Sequence, residues 1–130
     1  GLSAAIKGAR EGLKVALINN RPVPGGNNST EIRVVASGEM NVKPYTALGN
    51  VIREIRNVYS KEDQVIEMIQ AEKMLSYFPN MHVFAASKVG KQIKSVTAKH
   101  IENGKEVEFF SPLFVDCSGD GNLNIVWGVR

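Results

Sequence analysis

Residues 1–19, from Gly1 to Asn19, read GLSAAIKGAREGLKVALIN. Leu2, Ala5, Ile6 and Ala9 recur at helical spacing, and Ala4 and Gly8 keep the helix surface thin enough to lie close to a sheet. Gly12 stands where that helix must stop and suits a left-handed C-cap. Val15, Ala16, Leu17 and Ile18 then form an unbroken apolar run, the pattern of a short strand buried on both faces of a parallel sheet. Helix, glycine stop and buried strand together predict the αβ half of a βαβ unit. Gly1 fits the third glycine of G-x-G-x-x-G, which lets a helix pack closely on the first strand of a dinucleotide-binding unit. The two earlier glycines, and the strand carrying them, would precede it. An ordinary helix–strand pair from any α/β protein reads the same way here, so the decision falls to the rest of the chain.

A dinucleotide site has an acid at the end of its second strand, about 20 residues on, to bind a ribose hydroxyl. Asn19 holds that place; it can accept and donate hydrogen bonds but carries no charge. The next stretch, RPVPGGNNSTE from Arg21 to Glu31, is stiffened by two prolines and opened by Gly25 and Gly26 to close backbone approach. Asn27, Asn28, Ser29 and Thr30 supply side-chain donors, and the planar fork of Arg21 matches phosphate oxygens. This composition suits an anion such as a pyrophosphate. A plain Pro/Gly turn is the alternative. Placement directly after the predicted second strand favours the anion.

The pattern changes from Met81 onward. His82–Ala86 is a short apolar run, and residues 92–101 are rich in β-branched side chains. Asn103-Gly104 predicts a two-residue hairpin turn with both residues at positive φ, after which Lys105–Phe110 returns antiparallel. Pro112 ends that segment, and Leu113–Cys117 reads as another buried strand. Ser118-Gly119-Asp120-Gly121-Asn122 follows it. Ligands in open α/β sheets bind beyond the carboxyl ends of the strands, which sets Asn19 and Asp120 at one rim. Asp120 either accepts a hydrogen bond from a cofactor hydroxyl or caps a helix beginning near Leu123. Trp127 reads as a packing residue.

Two segments now carry a resemblance: Gly25-Gly26-Asn27-Asn28-Ser29-Thr30-Glu31-Ile32-Arg33 and Asp116-Cys117-Ser118-Gly119-Asp120-Gly121. In this order, with a β-meander between them, they resemble the FAD-dependent oxidoreductases of the glutathione-reductase-like superfamily. The likeness is to a bacterial group with GGNxS-S/T-E-I/V-R after the second strand and D-C/A-T/S-G-D-G near the end of the FAD domain. It runs from residue 1 to about residue 128. It implies an α/β fold: an FAD-binding, Rossmann-like parallel sheet with an antiparallel β-meander crossover, its first strand missing. It also implies FAD as cofactor. Gly1 would help to pack the first helix at the pyrophosphate, and Asn19 would stand where the family has its ribose-binding acid, a departure from that pattern. Arg21, Gly25, Gly26 and Asn27 would lie along the pyrophosphate or ribityl side. The backbone of Val83 would meet the adenine, and Gly119 and Asp120 would form a second phosphate- or ribityl-proximal turn. No residue matches a catalytic motif.

The chain has 130 residues with 43% hydrophobic and 22% charged, the make-up of one globular domain or part of one. No apolar run approaches the ~20 residues of a membrane helix. The expectation is a soluble chain with no membrane or nucleic-acid partner and a small-molecule substrate; the cytoplasm is the favoured compartment. The net charge of +3 is spread without a run of like charges, whereas a nucleic-acid footprint needs clustered Lys or Arg. The first residue is not Met, and the fingerprint begins at its third glycine. The expectation is therefore a partial FAD-binding domain over residues 1–130, N-terminally truncated, with the substrate domain absent. The single cysteine, Cys117, excludes an internal disulfide and a C-x-x-C redox pair, and reads as a buried small residue. His82 and His100 lack metal-ligand spacing and read as surface or edge residues, so no metal is expected.

Between the motifs, Ile32, Val34 and Val35 suggest a short strand, and Gly38 and Pro44 a loop. Val51, Ile52, Ile55 and Val58 recur at helical spacing. Ser60, with Asp63 three residues on, reads as the N-cap of a further helix whose apolar face is Val65, Ile66, Ile69 and Leu75. Three functions fit: the FAD-binding portion of a flavin oxidoreductase; a non-catalytic remnant that keeps the fold without binding flavin, because loss of a central strand leaves its neighbours' backbone groups unpaired; and an NAD-binding Rossmann domain. A helix across residues 91–101 would favour NAD, a meander FAD.

Overall fold

The computed structural model describes residues 1–37, 41, 43–44, 46–47, 49–119 and 121. The first helix, α1, spans Leu2–Arg10 and buries Ala5, Ile6 and Ala9. It ends in a Schellman motif: the N–H of Gly12 donates to the carbonyl of Ala9 (3.0 Å) and that of Leu13 to Gly8 (3.1 Å), with Gly12 at φ +87°. The thin face expected of α1 is used at Gly8, where a Cβ would stand 3.4 Å from Val15 Cγ2. The first strand, β1, is Val15–Ile18 as expected. It is not buried on both faces, since Ala16 is exposed and its neighbours only half-buried. Among the described residues β1 pairs with β2 alone, Leu75–Phe78. The pairing is parallel, the N–H of Val15 donating to Met74 and that of Asn19 to Phe78.

Between these strands lie α2, Asn50–Val58, and α3, Glu62–Gln70. The apolar periodicity of α2 is realised, with Val51 and Ile55 buried against Ile6. Leu2, Tyr59, Met68 and Leu75 close around that cluster. Leu75 therefore reaches the core from β2 and not from the helix the sequence placed it on. The N-cap of α3 is Lys61, not Ser60, and no side chain caps it. Glu62 and Asp63 in its first turn instead set negative charge at the positive end of the helix dipole. Arg10 ties these elements together. Its guanidinium donates to Glu54 Oε1 (3.0 Å) and Oε2 (2.8 Å) and, through Nε, to Glu72 (2.6 Å). Those bonds hold the Glu54 carboxyl below the usual carboxylate range and raise Arg10 further above its own.

The remaining strands are β3 (Met81–Val89), β4 (Gln92–His100) and β5 (Glu106–Phe110), an antiparallel sheet in that order. This is the expected meander, and no helix occupies residues 91–101. Its turns differ from expectation. Val89 pairs with Gln92, so Gly90-Lys91 is the two-residue loop, with Gly90 at φ +60°. A glycine at the first loop position with no positive φ at Lys91 marks type II′. At the other turn the N–H of His100 donates to the Lys105 carbonyl (2.8 Å), leaving the four-residue loop 101–104. Only Gly104 there has positive φ, +73°, and the Asn103 side chain accepts from the N–H of Lys105 (2.9 Å). Met81, Val96 and Ala98 are buried in this sheet, and Phe109 meets Phe78 edge-on at 4.8 Å.

Several expectations fail for one shared reason: apolar residues without a ladder partner do not make a buried strand. Leu113–Cys117 is not a strand; Leu113 is 68% and Val115 66% exposed. Cys117 is exposed, not buried. Ile32, Val34 and Val35 are likewise exposed and outside any strand. His82 is exposed on the edge strand β3, whereas His100 is half-buried and its Nδ1 accepts from the N–H groups of Glu102 and Asn103. No cluster of metal-ligating side chains occurs among the described residues. No helix there is long and apolar enough to cross a membrane. The chain forms two compact units: Gly1, Ile18–Arg21 and Phe78–Arg130 in one; Leu2–Leu17 and Pro22–Tyr77 in the other.

Candidate functional site

The predicted site residues fall in both units. In the first, Asn19 follows β1 directly. Its N–H donates to Phe78, and its carbonyl accepts from Met81. Its side-chain amide donates to the Arg21 carbonyl (2.9 Å), which also accepts from the N–H of Asn80 (3.3 Å). Residues 19–21 and 78–81 are thus zipped together, with Asn80 at φ +55° turning the chain into β3. Asn19 builds the exit of β1, a task that an uncharged amide performs and a carboxylate, lacking a donor, cannot. The Arg21 side chain is exposed at this exit.

Val83 is half-buried on β3, opposite Ala98. The register shifts between Val83 and Ala85, so Phe84 is an extra residue and the strand is bulged at the expected adenine position. On the edge strand of a sheet, a bulge takes backbone groups out of the ladder and re-aims them. Gly1 and the Gly119 turn are brought together: a Cβ at Gly1 would lie 3.5 Å from the Cβ of Cys117. The turn after Cys117 is closed by Asp116, whose carboxylate accepts from the N–H of Ser118 (2.9 Å). Gly119 follows at φ +87° with open space where a Cβ would stand. Asp120 and Trp127 lie outside the described residues, as does the helix expected near Leu123.

In the second unit, the loop after Arg21 coils tightly. Gly25, at φ +116°, precedes a 3₁₀ turn formed by Gly26–Asn28. A Cβ on Gly25 would stand 3.2 Å from Ser29 N and 3.4 Å from Ser29 Cα, so only glycine fits there. Gly26 also has positive φ, +58°, yet nothing lies within 4 Å of its missing Cβ. Asn28 and Ser29 donate back to Gly25 and Gly26, while the N–H groups of Gly26 and Asn27 donate to no acceptor among the described residues. Two successive left-handed glycines, with the undonated N–H groups of Gly26 and Asn27 on an exposed turn, form the kind of concavity that accepts an anion. The Asn27 carbonyl accepts from Val34, and the Asn28 amide donates to the Val34 carbonyl (2.7 Å). Arg33 stands at φ +62°, its N–H on Ser29 and its Nε on the Thr30 carbonyl.

Two features escaped the sequence reading. Ser29 is 2% exposed, and its hydroxyl has no hydrogen-bond partner. Its hydroxyl was visible in the sequence, but burial is invisible to composition. The other feature is Asn80, for which the Pro79-Asn80 pair was the available turn signal.

Compared with known proteins, the chain matches the family described as FAD dependent oxidoreductase over residues 1–130. No curated protein and no solved structure matches it.

Proposed function

We propose a function from one premise: the chain belongs to the FAD dependent oxidoreductase family, whose cofactor is FAD. The chain is the FAD-binding portion of a flavin oxidoreductase of the glutathione-reductase-like kind, whose substrate is a small molecule. The observation that carries this reading is the Gly25–Gly26 concavity placed directly after β1, where two undonated N–H groups fit a pyrophosphate. The meander β3–β5 supports FAD over NAD, for which a crossover helix would be expected.

When bound, the flavin supplies two-electron redox chemistry, and the protein's part is to bind and orient it. Gly26 and Asn27 would donate backbone hydrogen bonds to phosphate oxygens, and the Arg21 guanidinium would add a charged, planar donor pair. The backbone at Val83, beside the bulge at Phe84, would meet the adenine edge. Gly119 and Asp120 would form the second turn against the cofactor. Asn19 would serve by fixing the β1 exit, with no charge of its own to offer a ribose.

The test is flavin retention by the purified protein, read as a visible flavin spectrum and as FAD in the mass spectrum of the released ligand. Gly26→Asp sets a carboxylate in the concavity and should abolish retention while the circular dichroism stays that of the parent. Retention undiminished by Gly26→Asp would remove the pyrophosphate from this loop.

A further inference from the structure

The β3–β4 hairpin extends past the end of β5. Ser95 pairs with Phe110, the last residue of β5, so the ribbon from Ser87 to Lys94 has no third strand beside it. That ribbon carries Lys88, Lys91 and Lys94, and all its residues are exposed except half-buried Ile93. No Asp or Glu occurs anywhere from Lys73 to Ile101. At the apex Val89 is 67% exposed, and Phe110, at the ribbon's base, is 73% exposed. Lys94 donates to the Gln92 side chain, a neutral partner that leaves its charge uncompensated. By contrast the lysine inside the three-stranded part, Lys99, is paired with Glu106. Lys88, Lys91 and Lys94 thus share the projecting tip with no acidic residue of the hairpin.

We propose that the tip Ser87–Lys94 is a docking element for an anionic lipid surface. A convex two-stranded tip offers little area to a flat protein face. It enters a headgroup layer readily, its lysines reaching lipid phosphates and carboxylates while Val89 and Phe110 sit at the apolar boundary. A nucleic-acid reader would use the lysines but gain nothing from an exposed valine between them. Surface docking is distinct from spanning, which the absence of a long apolar helix among the described residues bears on.

The experiment is co-sedimentation of the protein with phosphatidylcholine vesicles, with and without phosphatidylserine, at low and at physiological salt. Binding is expected only to the phosphatidylserine vesicles and should weaken with salt. Each of Lys88→Gln, Lys91→Gln and Lys94→Gln should reduce it by about 5-fold. Val89→Ser should reduce it further without altering the salt dependence. These side chains are exposed, so unchanged circular dichroism is expected in every variant. The proposal is overturned if phosphatidylserine adds no binding. It is equally overturned if duplex DNA or polyglutamate competes fully and Val89→Ser has no effect, which would assign the tip to a polyanion.

Discussion

Gly25 carries two constraints at once. Its φ of +116° is strained for any L side chain, and a Cβ would press on the Ser29 backbone at 3.2 Å. Gly26 carries only the first. Gly25→Ala should therefore destabilise the fold by more than Gly26→Ala, whose cost is the left-handed penalty of about 1–2 kcal/mol. Urea unfolding of the two variants measures the difference, and equal losses would mean that the close approach does not exist. Ser29 predicts the opposite sign. Its buried hydroxyl loses water and gains no partner, so Ser29→Ala should leave unfolding stability unchanged or raise it by up to about 1 kcal/mol. A loss of 2 kcal/mol or more would reveal a hydrogen bond that the structure does not contain. At this scale the sequence was readable for glycines, whose lack of a Cβ is visible from identity alone. It was not readable for Ser29 or Cys117, because burial depends on what packs above a residue.

Among the elements, α1, its Gly12 stop, β1 and the meander were legible, since each rests on local periodicity or turn chemistry. Leu113–Cys117 was not: its apolar run promised a strand, but a strand exists only with a hydrogen-bonded neighbour, and periodicity cannot supply one. The Asn103-Gly104 turn came out four residues long for a similar reason, its geometry being decided by the Asn103 side chain and by the register of β4 on β5. The link between α1 and α2 was wholly illegible. Arg10 meets Glu54 across 44 residues of sequence and Glu72 across 62. Arg10→Met should cost about 1 kcal/mol near neutral pH, a modest figure because Arg10 and Glu54 are partly exposed. The Glu54 carboxyl is depressed in the folded state, so its contribution is present above the unfolded value of about 4.3 and fades as pH falls through the folded one. Urea unfolding across pH should show the stability gap between parent and variant narrowing from about pH 5 towards pH 3. A gap that persisted unchanged to the lowest pH would mean that Glu54 is not the partner.

For the molecule as a whole, the family and its cofactor follow from a match that spans residues 1–130. The sequence reading grouped Arg21, Gly25, Gly26 and Asn27 because Pro, Gly and Asn crowd together where a strand ends. It could not foresee that the chain divides into two compact units, which depends on long-range packing. The most direct test is a titration of the purified protein with FAD, followed by flavin fluorescence, with NAD as competitor. The predicted result is saturable binding of one FAD per chain, weakened about 10- to 100-fold by Arg21→Ala, as expected for losing a charge-assisted hydrogen bond, and not displaced by NAD. Absence of saturable FAD binding, or displacement of FAD by equimolar NAD, would contradict the assignment of this loop to the flavin cofactor.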